Sequence, residues 1–476
     1  MASTSFKPTL RLLDATMLVA GSMIGSGIFI VSADITRNVG SSGWLILVWL
    51  ITGFMTLIAA VSYGELSAMY PKAGGQYVYL KEAYNPLTGF LYGWSFFSVI
   101  QTATIAAVGV AFAKFTAYLL PVFSEDKVAI DLGSLKISPA QLLSILVIVL
   151  LTFINTRGVK SGKGIQTTLT LTKLISLFGL IVFGLIALKP AIWSSNWTNA
   201  WELHALSADG NTGSYTIMAA LGAIAAAMVG SVFSSDSWHN VTFIAGEIHN
   251  PKRNIGLSLF LGTLIVTIIY LLTNIMYLGV LPLQDIAGAD KDRVAVSAAR
   301  VIFGQAGTFI IAVMIMISTF GCNNGLIMAG ARVYYTMAND GLFFKKAAGL
   351  NTAAVPGFAL WIQCAFACIW SLSGKYGDLL DMISFVVVVF YMLTIAGIFI
   401  LRKKRPDIDR PYKAFGYPVL PVLYIAMGLA FCILLIIYKP KFTWPGLIIT
   451  LLGIPVYYLV KNTTRKDPPS VSPGTS

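Results

Sequence analysis

The run Gly21-Ser22-Met23-Ile24-Gly25-Ser26-Gly27-Ile28-Phe29 lies inside the first long apolar stretch of the chain, residues 10–37. About 20 apolar residues are enough to cross a bilayer as a helix, so this stretch can span. Its three glycines between positions 21 and 27 are nonetheless poor for a helix interior, because glycine gives up the most backbone freedom on ordering. At membrane depth, unwound backbone is tolerated only where it is buried in protein or lines a cavity. Close helix packing is the competing reading, since small residues four apart, as at Gly21 and Gly25, let two helices approach. The continuation through Ser26-Gly27 favours a break.

A second interruption sits further along, within 215–246. It reads Gly230-Ser231-Val232-Phe233-Ser234-Ser235-Asp236-Ser237-Trp238-His239-Asn240. Ser, Asp and Asn side chains compete with helical hydrogen bonds. An Asp deep in an apolar span is costly and marks function by default. The pattern Gly21-Ser22-x-Ile24-x-Ser26 is faintly repeated as Gly230-Ser231-x-Phe233-x-Ser235. Two polar breaks at corresponding places, five spans apart, point to a midplane binding site between inverted repeats.

The rest of the chain fits that frame. Of 476 residues, 57% are hydrophobic and 11% charged, against roughly a quarter charged in soluble domains. A soluble globule this apolar is excluded. The net charge of +13 does not mark a nucleic-acid partner, because the basic residues fall in short runs between apolar segments, as in membrane loops. Twelve spans are expected, at 10–37, 43–69, 87–120, 139–156, 164–188, 215–246, 255–280, 306–338, 357–372, 378–401, 419–438 and 443–461. With both ends cytoplasmic, inner segments collect about twenty Lys and Arg against about ten outside, which favours that orientation. The basic run Arg402–Lys413 reads as a topology anchor. Loops 189–214 and 281–305 are then external, the second with a short amphipathic helix, and 1–9 and the polar tail 462–476 are cytoplasmic, the tail disordered. Cys322, Cys364, Cys368 and Cys432 all lie in apolar segments, so no disulfide framework is implied.

The chemistry of half-helix ends suggests a ligand. Free N–H groups at a helix N-terminus attract carboxylate, and free carbonyls at a C-terminus attract ammonium. A zwitterionic α-amino acid offers both. Gly25, Ser26 and Gly27 would hold the carboxylate through N–H, and the carbonyls of Met23, Phe233 and Asp236 the amine, with Ser22 and Ile24 completing the first break. Side-chain selectivity would then fall to Phe233, Ser234, Ser237, Asn323 and Val387. No nucleotide-binding loop, metal-spaced His/Cys cluster or nucleophile elbow is present, so neither enzyme, metal nor cofactor is expected.

Several local patterns resemble one family. They are GSMIGSGIF at 21–29, YGELSAMYPKAGGQYVYL at 63–80, DSWHNVTFIAGEIHNPKRNIG at 236–256, NNGLIMAGARVYYTMANDGLF at 323–343 and LRKKRPDIDRPYKAFGYPVLP at 401–421. The chain resembles the amino acid–polyamine–organocation superfamily, and within it the L-type amino acid transporters. The resemblance implies a five-plus-five inverted repeat, 10–188 and 215–401, followed by two extra helices in 402–461, with alternating access. It also implies a Lys from span five, here Lys173, in the region between spans one and eight where sodium-coupled relatives hold sodium, near Ser318, Thr319 and Asn323. A static tether and a proton carrier are the other readings of Lys173.

This sequence departs from the pattern in places. Asp236-Ser237-Trp238 replaces the Asp-Gly-Trp or Gly-Gly-Trp of many relatives, and Val387-Val388 replaces polar and aromatic residues of large-substrate relatives. The loop at 121–137 has no Cys, so no disulfide-linked heavy chain is expected. A stand-alone, monomeric bacterial permease of the plasma membrane is implied. It would be a sodium-independent exchanger or a proton-linked importer of small to medium neutral amino acids, with cationic amino acids or polyamines as the alternative substrates. A non-transporting amino acid sensor is the rival from another class. Asp236 would either meet a cationic side chain or cap the following half-helix. Glu65, Glu247 and Arg332 form an inner gate network or are solvated helix-end charges, and His239 reads as hydrogen-bonded packing.

Overall fold

In the computed structural model, residues 8–131, 133, 136–207, 212–373 and 376–466 are described. The first apolar stretch is two helices, α1 (Leu12–Met23) and α2 (Gly27–Val39), bent by 42° at the break between them. α3 (Ser42–Met69) follows, then a short α4 (Gln76–Ala83). α5 (Pro86–Ser95) and α6 (Gln101–Leu119) form one rod through a π-helical turn at Phe96–Ile100. Next come α7 (Pro139–Thr156), α8 (Val159–Ile186) and a short α9 (Pro190–Trp197). α10 (Ile217–Ser234) stops at the second interruption. Only a turn of helix, α11 (Asn240–Phe243), and a 3₁₀ turn at Ala245–Glu247 come after it.

The second half continues with α12 (Pro251–Val280), the short α13 (Leu283–Ala287) and α14 (Val294–Asn339). α14 is kinked at Gly304, whose φ of 70° suits a residue without a Cβ, so its first turns form the short helix expected in loop 281–305. α15 (Gly357–Ser373), α16 (Tyr376–Lys404), α17 (Val419–Tyr438) and α18 (Pro440–Lys466) complete the chain. Two hairpins interrupt the helical pattern: β1 (Ile130–Asp131) with β2 (Lys136–Ile137), and β3 (His204–Leu206) with β4 (Thr212–Ser214).

Among the described residues, ten helices are long and apolar enough to cross a membrane, or eleven with the bent α1–α2 pair counted as one span. α15 is apolar but shorter. Many apolar side chains on α7, α8 and α17 stay exposed, among them Leu146, Ile175, Phe178 and Ile433. Bilayer hydrocarbon is the medium that such a surface suits. Residues 1–7 and 467–476 lie outside the described part, and α18 runs through Lys466, beyond the expected start of the tail.

Small residues set the helix approaches. A Cβ on Gly27 would come 1.9 Å from Ser234 Oγ, and one on Gly230 2.8 Å from Val31, so α2 and α10 meet backbone to side chain. Gly64 of α3 and Gly256 of α12 also face each other, more loosely, a Cβ on Gly256 falling 3.4 Å from the Gly64 Cα in ordinary contact. The first glycine run thus contains a break, and the close helix approach falls at Gly27 and Gly230 and not at the Gly21–Gly25 spacing.

Candidate functional site

The two breaks face each other. At the first, Gly25 N–H turns back to the Met23 carbonyl at 2.8 Å, and α2 starts only at Gly27. The N–H groups of Ser26 and Gly27 therefore belong to the unbonded first turn that every helix presents. The expectation that Gly25 N–H is free does not match this geometry, because that hydrogen is spent inside the turn. At the second break, Asp236 N–H donates to the Phe233 carbonyl at 3.2 Å and Ser237 sits at φ 66°. That is the left-handed region where a side chain is strained and glycine is at ease.

Ser22, Met23, Gly25, Ser26 and Gly27 from the first break and Phe233, Ser234, Asp236 and Ser237 from the second line one small cavity. Thr104 and Val108 of α6 and Cys322 and Leu326 of α14 complete it, and every one of these residues is buried. Those last four lie outside the expected site. Leu326 falls in the 323–343 pattern but the other three carry no local motif, and only the packing of α6 and α14 brings all four in. Ile24 contributes its carbonyl behind the wall. Asn323 and Val387 are buried but not in the lining: the Asn323 amide donates to the Ile105 carbonyl at 3.2 Å. Ser22 Oγ, on the cavity wall, is buried without a hydrogen-bond partner.

Two tyrosines join the breaks. Tyr270 of α12 places its hydroxyl 3.0 Å from both the Met23 and the Ser234 carbonyls. Tyr376, at the start of α16, lies 2.9 Å from Ser26 Oγ and meets the Phe233 ring edge-on at 6.1 Å. No sequence signal marks either, since each is a single aromatic within or beside an ordinary apolar span.

Lys173 of α8 is buried, and its ammonium donates to the Gly21 carbonyl at 2.5 Å and the Ile24 carbonyl at 2.7 Å. Ser318 Oγ of α14 reaches the same Ile24 carbonyl at 3.3 Å. Of the other two groups expected there, Thr319 bonds carbonyls of its own helix and Asn323 turns to α6. Asp236 does not cap α11: its carboxylate accepts a hydrogen bond from Tyr391, and the residue before that helix is His239.

The helix-end charges fall into two clusters, not one network. Glu247 pairs with Arg332 at 3.1 Å, both buried. Glu65 is fully buried and takes Arg402 through both oxygens, at 3.0 and 2.7 Å, and the Ala414 N–H at 2.7 Å, with Arg410 at 3.7 Å. The basic run after α16 thus has a structural partner in addition to its value as an orientation signal. At the opposite end, Arg37 and Lys114 share Asp292, at 2.8 and 3.9 Å.

Apolar spans packed in a bundle, with the bent α1–α2 pair and the end of α10 around one buried cavity, define a multi-pass membrane protein. Residues 10–458 match the family described as amino acid permease. The chain is 30% identical over 458 residues to the serine/threonine exchanger SteT of Bacillus subtilis, covering 96% of this chain and 97% of that protein. It is 28% identical over 459 residues to the human large neutral amino acids transporter small subunit 2, covering 96% and 81%. With the mouse Asc-type amino acid transporter 1 the identity is 27% over 460 residues, covering 96% and 81%. The chain belongs to the amino acid permease family of the amino acid–polyamine–organocation superfamily. It is an amino acid transporter and not an enzyme.

Proposed function

We propose that this chain is a sodium-independent transporter of small to medium neutral L-amino acids, bound as zwitterions between the two breaks. The observation that carries the reading is the shared cavity, closed here to about 10 Å³, with the open first turn of α2 on one side and the end of α10 on the other, so the substrate enters as the two breaks part. The carboxylate sits on the N–H groups of Ser26 and Gly27, at the positive end of α2. The amine competes for the carbonyls at the ends of α1 and α10. Met23 and Phe233 carbonyls already accept internal hydrogen bonds, so the amine adds to or displaces those of Gly25 and Asp236.

Lys173 supports sodium independence. Its ammonium occupies the carbonyls of Gly21 and Ile24. A sodium ion about 4 Å away would be repelled by roughly 4 kcal/mol at an effective dielectric of 20. The names of the relatives, a serine/threonine exchanger and a large neutral amino acid transporter, agree with a neutral substrate and with exchange. Asp236 on the cavity wall favours cationic amino acids as the second reading.

The wider architecture belongs to the same proposal. α15 serves as a further span, giving twelve, and the helices form two inverted repeats of five. Support comes from the pairs that such a repeat relates: α2 packs on α10, α3 on α12, α6 on α14 and α7 on α15. Both termini lie in the cytoplasm of a bacterial plasma-membrane monomer without a heavy chain. The test is uptake of labelled amino acids into proteoliposomes in sodium-free choline buffer. Serine, threonine, alanine and leucine should compete better than arginine or lysine, and analogues lacking the α-carboxylate or the α-amine should not compete. Steep sodium dependence refutes the role of Lys173, and preference for arginine or lysine reverses the substrate order.

A further inference from the structure

Three titratable side chains form a continuous chain at the wall of the cavity. The Tyr391 hydroxyl of α16 donates to Asp236 Oδ1 and lies 2.7 Å from His239 Nδ1. All three residues are buried, with Asp236 6% exposed, Tyr391 4% and His239 3%. Asp236 lines the cavity, and His239 is enclosed by the rings of Tyr63, Trp238 and Phe243 at 6.4, 5.5 and 5.1 Å. The titratable groups that face this chain are hydroxyls and a thiol: Tyr63 from α3, Tyr92 from α5, Cys322 from α14 and Tyr424 from α17. Among the described residues no lysine, arginine or second carboxylate pairs with Asp236, and Lys173 faces Cys322 and the carbonyls of the first break instead.

A buried carboxylate without a counter-charge is costly, and a buried carboxylic acid with a hydrogen-bond partner is far less so. A tyrosine hydroxyl has one proton to give and an oxygen to accept with, and neutral imidazole can carry its proton on either nitrogen. With Asp236 ionised, Tyr391 donates to it and His239 Nδ1–H donates to the Tyr391 oxygen. With Asp236 protonated, its O–H donates to Tyr391, Tyr391 donates to Nδ1, and the imidazole proton resides on Nε2. The two arrangements differ by one proton, and both links stay paired in each. A zwitterion adds no net charge, its ammonium being matched by its own carboxylate, so closing the cavity around it and an ionised Asp236 encloses one excess negative charge, which a single proton removes.

We propose that Asp236, Tyr391 and His239 form a one-proton site that loads together with a neutral amino acid, making movement of that substrate proton-linked. This inference rests on the breaks being the substrate site. Affinity for a neutral substrate is then highest where Asp236 is protonated and falls as pH rises, by at most about tenfold per pH unit for one proton. The experiment measures binding of labelled L-serine, L-threonine, L-alanine and L-leucine to the purified full chain between about pH 5 and 9, a range that brackets neutrality. A parallel assay follows a pH dye trapped in proteoliposomes during their uptake. Expected are falling affinity with rising pH and lumenal acidification that accompanies uptake. Asp236→Asn should flatten the pH curve. Tyr391→Phe, which interrupts the chain without removing either end, should reduce the slope in a protein that still elutes as a single species. Binding unchanged across the pH range, together with uptake that leaves the dye unaltered, overturns the proton site. A slope lost in Lys173→Ala but kept in Asp236→Asn also overturns it, and assigns the proton to the lysine. Absence of any binding by folded wild-type protein instead overturns the placement of the substrate between the breaks.

Discussion

Ser237 holds a backbone conformation, φ 66°, that a residue with a Cβ enters only at a cost of roughly 1–2 kcal/mol. Ser237→Gly should therefore stabilise the folded chain by about 1 kcal/mol, read as a higher melting temperature in detergent. Lower stability would show that the hydroxyl contributes more than the strain removes. The glycines make a sharper contrast. A Cβ on Gly27 would overlap Ser234, whereas one on Gly25 meets Cys322 Sγ at 3.0 Å, the end of a small side chain that can shift. Gly27→Ala is expected to cost about 1–3 kcal/mol by overpacking. The double variant with Ser234→Gly should recover most of that loss, because the space is returned. Equal stability of the single and double variants would place the clash elsewhere. At Gly25 a valine should remove substrate binding while the protein stays folded, and near-normal affinity in that variant would remove Gly25 from the site.

The breaks themselves were legible in sequence because glycine, serine and aspartate at mid-span oppose a helix by local chemistry. The length of the helix beyond each break was not. The first break leads into thirteen residues of α2, the second into the four residues of α11, and nothing in the 236–256 stretch distinguishes these outcomes locally. Tyr270, Thr104 and Cys322 were illegible for a related reason: their roles come from which helix packs beside which. Lys173 was legible because a cation in an apolar span demands a partner, and the structure provides two carbonyls. Removing it should leave those carbonyls without their donor and free α1 from α8. Lys173→Ala is expected to lower turnover more than substrate affinity in sodium-free uptake, since the ammonium touches carbonyls behind the cavity and not its lining. A variant with unchanged turnover would leave Lys173 as a dispensable tether.

At the scale of the whole molecule, the ion pairs among the described residues gather at the two ends of the bundle, with Lys173 and Asp236 between them. At one end, Glu65 gathers Arg402, Arg410 and the Ala414 N–H, tying α3 to the segment between α16 and α17. This is the end that the proposed orientation puts in the cytoplasm. Breaking a buried ion pair by removing one partner commonly costs about 3–5 kcal/mol, and less where other donors remain. Arg402→Ala should therefore destabilise the detergent-purified chain by a smaller amount, about 1–3 kcal/mol, and make the 402–413 segment open to added protease. Unchanged protection would show that Arg410 and Ala414 hold the segment alone.

The same clamp has a bearing on how the chain is made. Arg402 comes 337 residues after Glu65. At a synthesis rate of about 5–20 residues per second, the carboxylate waits on the order of half a minute for its arginine. Through that interval α3 is complete but its end has no counter-charge, so it must stay hydrated at the bilayer edge. The Glu65 end of α3 can settle into the bundle only after α16 has been inserted, which makes the last third of translation the step that finishes the first third of the fold.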